Sequence, residues 1–133
     1  MNTKLLMTLS AMILALIGIS LIFLPNEILD YLELSVSETL QLLLQIIGSL
    51  YFALAILNWM SKGSLIGGIY NRPIAMANLT HFLIAGLALM KGILANPSLS
   101  YVIWSIAIIY SIFAIFFGIV AFKHPVGEKN HIE

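Results

Sequence analysis

The sequence predicts an all-α fold, a transmembrane four-helix bundle with both termini cytoplasmic, and three observations support that expectation. Only six basic and six acidic residues serve a chain of 133, and 61% of it is hydrophobic. Those charges bracket four uncharged runs: 22 residues between Lys4 and Glu27, 23 between Glu38 and Lys62, 18 between Arg72 and Lys91, and 31 between Lys91 and Lys123. None of the runs shows the period-2 alternation of a barrel strand, and backbone polar groups cannot go unpaired in lipid, so each run reads as helix. The composition excludes an ordinary water-soluble globule, in which about a quarter of residues are charged. It also excludes a disordered chain, a basic nucleic-acid binder and an acidic tail protein. With no cysteine, there is no disulfide framework, thiolate nucleophile or cysteine-ligated metal.

At about 1.5 Å per residue the four runs measure roughly 33, 35, 27 and 47 Å, against a hydrocarbon core about 30 Å thick. The spans read as about 4–24, 38–61, 73–92 and 99–122, in a single membrane domain covering 1–133, with 123–133 a short cytoplasmic tail. Pro25 closes the first span. Its apolar stretch exceeds the roughly 7–15 residues of a signal-peptide core and no A-x-A site follows, so it is expected to be retained. In the segment after it, Glu27, Asp30 and Glu33 recur every third residue among Ile28, Leu29, Tyr31 and Leu32, the pattern of a short interfacial helix with its acids toward water. That acidic rim reads either as a solvated face or as a partner-binding edge.

Ser35-x-x-Glu38 has the form of a capping box ahead of the second span. The loop from Ser61 to Arg72 carries a glycine pair, Gly67-Gly68, between Lys62 and Arg72. These two cations are candidates for holding a lipid headgroup, the alternative being a flexible turn whose apolar residues dip into the interface. Asn71-Arg72-Pro73 supplies a cap and a first-turn proline for the third span. Asn96-Pro97-Ser98 divides the longest run and opens the fourth. Tyr31, Trp59, Tyr70 and Tyr101 fall near span ends, where amphipathic rings suit the headgroup level.

Topology follows from Lys and Arg. One side holds Lys4, Lys62, Arg72, Lys123 and Lys129, the other only Lys91, which places both termini and the 62–72 loop in the cytoplasm.

Polar residues inside the spans carry the functional question. On the second span Gln41, Gln45, Gly48, Tyr51, Phe52, Ala55 and Asn58 share a sector of about 140°. On the third, Asn71, Asn78, His81, Ala85, Ala88 and Gly92 share one of about 100°, with Leu79, Leu83, Leu87 and Met90 opposite. The fourth has a stripe at Ala107, Ser111, Ala114, Gly118 and Ala121, and the first has Ala11, Ala15 and Gly18. Small faces let transmembrane helices approach closely, so all four are expected to turn inward around a polar seam. Counting residues from the span ends puts Tyr51, His81 and Tyr110 within roughly 6 Å of one level, near the midplane. Asn58 and Asn78 fall closer to the cytoplasmic side. The seam of Gln45, Tyr51, Asn58, Asn78, His81 and Tyr110 reads as structural glue or as a ligand-binding pocket.

Other motifs fail. Asn78-Leu79-Thr80 lies inside a span, and the proline disqualifies Asn96-Pro97-Ser98 as a glycosylation acceptor. His81 has no second ligand at helical spacing, and His124 and His131 sit on the tail, so no metal or other cofactor is expected. No carboxylate lies within a span, no catalytic residue is assigned, and an enzyme is disfavoured.

The order of landmarks, Gly18 to Pro25 ending the first span, then Gly48-Ser49-Leu50-Tyr51-Phe52-Ala53 and Gly67-Gly68-Ile69-Tyr70-Asn71-Arg72-Pro73, resembles small bacterial four-helix membrane proteins of the DoxX-like kind. The resemblance covers most of the chain in layout and implies a bacterial inner-membrane protein tied to redox or quinone-linked assemblies. It carries no functional residue.

The expectation is a structural or accessory helical module that packs with itself or with a larger membrane complex. The alternative is an intramembrane binding or transport bundle for a small apolar molecule, a lipid or a quinone, recognised near Tyr51, His81 and Tyr110. The partners expected are membrane lipids and protein, not nucleic acid.

Overall fold

The computed structural model describes residues 2–64, 66 and 70–122. The 123–133 tail, with His124 and His131, and the Gly67-Gly68 pair lie outside them. The described residues form five helices: α1 (Thr3–Phe23), α2 (Pro25–Tyr31), α3 (Glu38–Ser61), α4 (Arg72–Ala95) and α5 (Tyr101–Phe122). Four of these, of 21, 24, 24 and 22 residues, are long and apolar enough to cross a membrane. At about 1.5 Å per residue they run roughly 32–36 Å, enough for a hydrocarbon core of about 30 Å. The protein is an all-α integral membrane protein.

Local signals set the ends. The Asn2 side chain accepts a hydrogen bond from the Leu5 backbone N–H and starts α1. The α3 cap is Ser37, whose hydroxyl accepts from Leu40 N–H at 3.3 Å, rather than Ser35 as the capping-box pattern suggests. Ser37 stands directly before the first helical residue, Glu38, whose charge favours the helix N-terminus. Asn71 precedes α4 but its side chain makes no capping bond; Pro73 in the first turn fixes the start instead. Before α5, Asn96 Oδ1 accepts from Ser98 N–H and Oγ, and Ser100 Oγ accepts from Val102 N–H. The third span runs on to Ala95, past the expected stop near residue 92.

α2 is the short helix expected between the first two spans. It closes in a Schellman motif, with Glu33 N–H donating to Asp30 O and Leu34 N–H to Leu29 O, both at 3.0 Å. Glu33 takes the left-handed φ of 56° that this motif demands. Buried Leu29 seats the helix.

The chain forms two compact units, Met1–Ser64 and Leu65–Glu133. In the first, α1 and α3 are antiparallel neighbours: Ser10 meets Asn58, Gly18 meets Gly48 and Ile22 meets Gln45. The buried residues of α1 (Leu6, Met7, Ser10, Ala11, Leu14, Gly18) recur at helical spacing, as do Gly48, Ala55 and Asn58 on α3. In the second, α4 and α5 are antiparallel, with Gly86 beside Tyr110 and Leu79 beside Gly118.

The expected stripe on α5 is in place, with Ala107, Ala114 and Ala121 buried and Ser111 and Gly118 half-buried. On α4 the buried face is turned by about 80° at 100° per residue from the expected one. It centres on Ala75, Asn78, Phe82, Gly86 and Ile93, while Ala88 is exposed. The small and polar residues that define the expected sector of this span leave out Phe82, whose ring fills the space against α5. Leu83, Leu87 and Met90 are exposed as expected, but Leu79 is half-buried against α5.

Candidate functional site

In the first unit the polar groups form a short relay. Asn58 Nδ2 donates to Ser10 Oγ at 3.0 Å, and Ser10 Oγ donates to the Met7 carbonyl at 3.0 Å. Both side chains are fully buried. A polar group in hydrocarbon must find a partner, and here each helix supplies the other's. Ser10 was not picked out from the sequence, although it adjoins Ala11 on the α1 face that carries Gly18. Gln45 is exposed and donates from Nε2 to the Ile22 carbonyl at 3.4 Å, one of the last-turn carbonyls that α1 cannot satisfy itself. Tyr51 is half-buried on the α3 stripe between Gly48 and Ala55.

Gly18 and Gly48 set the distance between these helices. A Cβ on Gly18 would lie 2.8 Å from both the Gly48 carbonyl oxygen and the Phe52 nitrogen, and one on Gly48 would lie 2.8 Å from the Gly18 carbonyl oxygen. Backbone meets backbone there, the closest approach that glycine permits.

In the second unit Asn78 is fully buried and donates from Nδ2 to the Ile74 carbonyl at 3.0 Å within its own helix. His81 and Tyr110 do meet, with ring centroids 5.6 Å apart. They meet as members of an aromatic cluster. The Phe82 ring, with no exposed surface, lies 5.2 Å from His81, 5.1 Å from Tyr110, 4.9 Å from Phe113 and 5.6 Å from Phe117. Edge-on and offset contacts at these separations are attractive beyond simple area burial. Phe82, Phe113 and Phe117 went unnoticed in the sequence, where the signal was Tyr110, Phe113 and Phe117 at spacings of three and four on one helix face.

The two candidate headgroup cations differ. The Lys62 ammonium lies over the Trp59 ring, 2.9 Å from its centroid, at the end of α3. Arg72 belongs to the second unit and is exposed in the first turn of α4. A cation there opposes the helix dipole, so its position does not serve helix stability. Tyr70 and Tyr101, 94% and 89% exposed, present whole rings at span ends.

An open apolar groove of about 290 Å³ lies on the first unit, lined by Ala11, Met12, Ala15, Phe52, Ala55, Ile56 and Trp59. No group of three or more His, Cys, Asp or Glu side chains that could hold a metal ion occurs among the described residues. Comparisons with protein-family models, with curated proteins and with solved structures find no match.

Proposed function

We propose that this integral membrane protein is a structural or accessory helical module of a bacterial inner membrane, DoxX-like in layout and associating with itself or with a larger complex. Both termini and the 62–72 segment lie on the cytoplasmic side in this reading, following the lysines and arginines. One observation carries it: Asn58, Asn78 and Ser111, polar side chains at membrane depth, are hydrogen-bonded within their own helix pair. Asn58 bonds Ser10, Asn78 bonds Ile74, Ser111 Oγ bonds the Ala107 carbonyl at 2.8 Å, and His81 packs among rings. The Asn58–Ser10 bond joins α3 to α1, the other two close on their own helices, and none of the three requires a substrate.

Photobleaching of single fluorescent-tagged molecules in native-membrane vesicles, paired with analysis of what co-purifies, tests this reading. Multi-step bleaching or a stoichiometric protein partner, unchanged by His81→Ala, is the expected result. Single-step bleaching with no protein partner would overturn it. A quinone or lipid retained by the wild type and lost on His81→Ala or Tyr110→Phe would favour the alternative, a binding bundle for an apolar molecule near Tyr51, His81 and Tyr110.

A further inference from the structure

We infer that the groove between α1 and α3 holds one acyl chain of an anionic phospholipid, whose headgroup is bound by Lys62 and Lys4. Three features of the first unit point to it. The groove is wholly apolar and runs from Phe52 to Trp59 on α3, about 10 Å of helix, or two thirds of one leaflet of roughly 15 Å. At its Trp59 end stands a fixed cation: Lys62 Nζ is held 2.9 Å from the centroid of the Trp59 ring that lines the groove. A tryptophan and a lysine one turn apart are the usual furniture of the headgroup level, the ring at the boundary and the ammonium reaching beyond it.

Charge complementarity supplies the third. The Ser10–Asn58 bond fixes the register of the two helices. Lys4 lies six residues before Ser10, and Lys62 four residues after Asn58. At about 1.5 Å per residue the two lysines therefore fall within roughly 3 Å of the same depth. All four acids of this unit, Glu27, Asp30, Glu33 and Glu38, belong to the opposite end. The groove thus opens toward positive charge alone, which selects a lipid with a net negative headgroup over a zwitterionic one.

Trp59 is itself the reporter. In the full chain carrying Trp104→Phe, which leaves Trp59 as the only tryptophan, its fluorescence is quenched by lipids brominated along the acyl chain in vesicles of defined composition. Brominated phosphatidylglycerol is expected to associate with the Trp59 site about 5-fold to 30-fold more strongly than brominated phosphatidylcholine, the preference that one to two lysines near a membrane surface confer. Lys62→Gln combined with Lys4→Gln brings the ratio of the two lipids to one. Ala15→Phe, which fills the groove, lowers quenching by both. Taking the ratio within each variant removes any change in the intrinsic emission of Trp59 when Lys62 is lost. Equal quenching by the two lipids in the wild type would overturn the proposal, as would a preference that survives both lysine substitutions or full quenching in Ala15→Phe.

Discussion

Between α1 and α3 two backbones touch at Gly18 and Gly48, whereas between α4 and α5 the rings of Phe82, Tyr110, Phe113 and Phe117 fill the space. The glycines of the second pair are correspondingly relaxed. A Cβ on Gly86 would sit 3.5 Å from the Tyr110 Cβ, and one on Gly118 would sit 3.7 Å from Leu79 Cδ1, both ordinary contacts. In lipid there is little hydrophobic gain in bringing two apolar helices together, so association rests on dispersion and hydrogen bonds. The first pair maximises contact by closing the gap and adds the buried Asn58–Ser10 bond. The second keeps a wider gap and fills it with polarisable rings.

Substitution can break this contrast. Its largest test is Gly18→Ala, expected to cost toward the upper end of about 1–3 kcal/mol because all three obstructing atoms are backbone and cannot turn aside, with Gly48→Ala somewhat less because Ile22 Cγ1 can move. Reversible unfolding by sodium dodecyl sulfate in mixed micelles measures it. Next is Phe82→Ala, expected to destabilise the second pair by about 2 kcal/mol in the same titration. That is below the cost of emptying a water-soluble core, since lipid solvates the exposed ring nearly as well as the protein did. Asn58→Ala comes third at about 1 kcal/mol, and a double-mutant cycle with Ser10→Ala should assign most of that loss to the pair. Gly118→Ala closes the series: a change within about 0.5 kcal/mol, since the added Cβ meets Leu79 at ordinary contact distance and alanine favours helix. If Gly18→Ala and Gly118→Ala cost the same, the two pairs do not differ in the way their geometry indicates.

The spans were legible in the sequence because charge spacing alone marks them; α3 runs from Glu38 to Ser61, where the uncharged run and its flanking charges put it. Gly18 and Gly48 were legible too, as members of small-residue faces. The buried face of α4 was not, because a rule that looks for small and polar residues passes over Phe82, and whether a phenylalanine faces lipid or protein leaves no mark in composition when both surroundings are apolar. Ser10 escaped for a related reason. A hydroxyl in a helix can satisfy itself on its own backbone, as Ser49 Oγ does on the Ile46 carbonyl and Ser105 Oγ on the Tyr101 carbonyl, so its presence does not announce a partner across the gap. The groove beside Trp59 depends on how far apart two antiparallel helices stand, which the Gly18–Gly48 contact and the Ser10–Asn58 bond fix together.

Hydrocarbon is the solvent for the side chains that the protein leaves uncovered. Leu16, Leu50, Leu83 and Ile112 are each exposed on the protein surface, one on each long helix. The chain has no cysteine, so single cysteines at these positions, and at Leu34 and Ser64 between the helices, can be labelled without background. A water-soluble, membrane-impermeant maleimide applied to permeabilised cells should react at Leu34→Cys and Ser64→Cys and leave the four mid-helix cysteines unmodified. Mid-helix labelling as fast as that at Ser64→Cys would mean that water, not hydrocarbon, surrounds these helices.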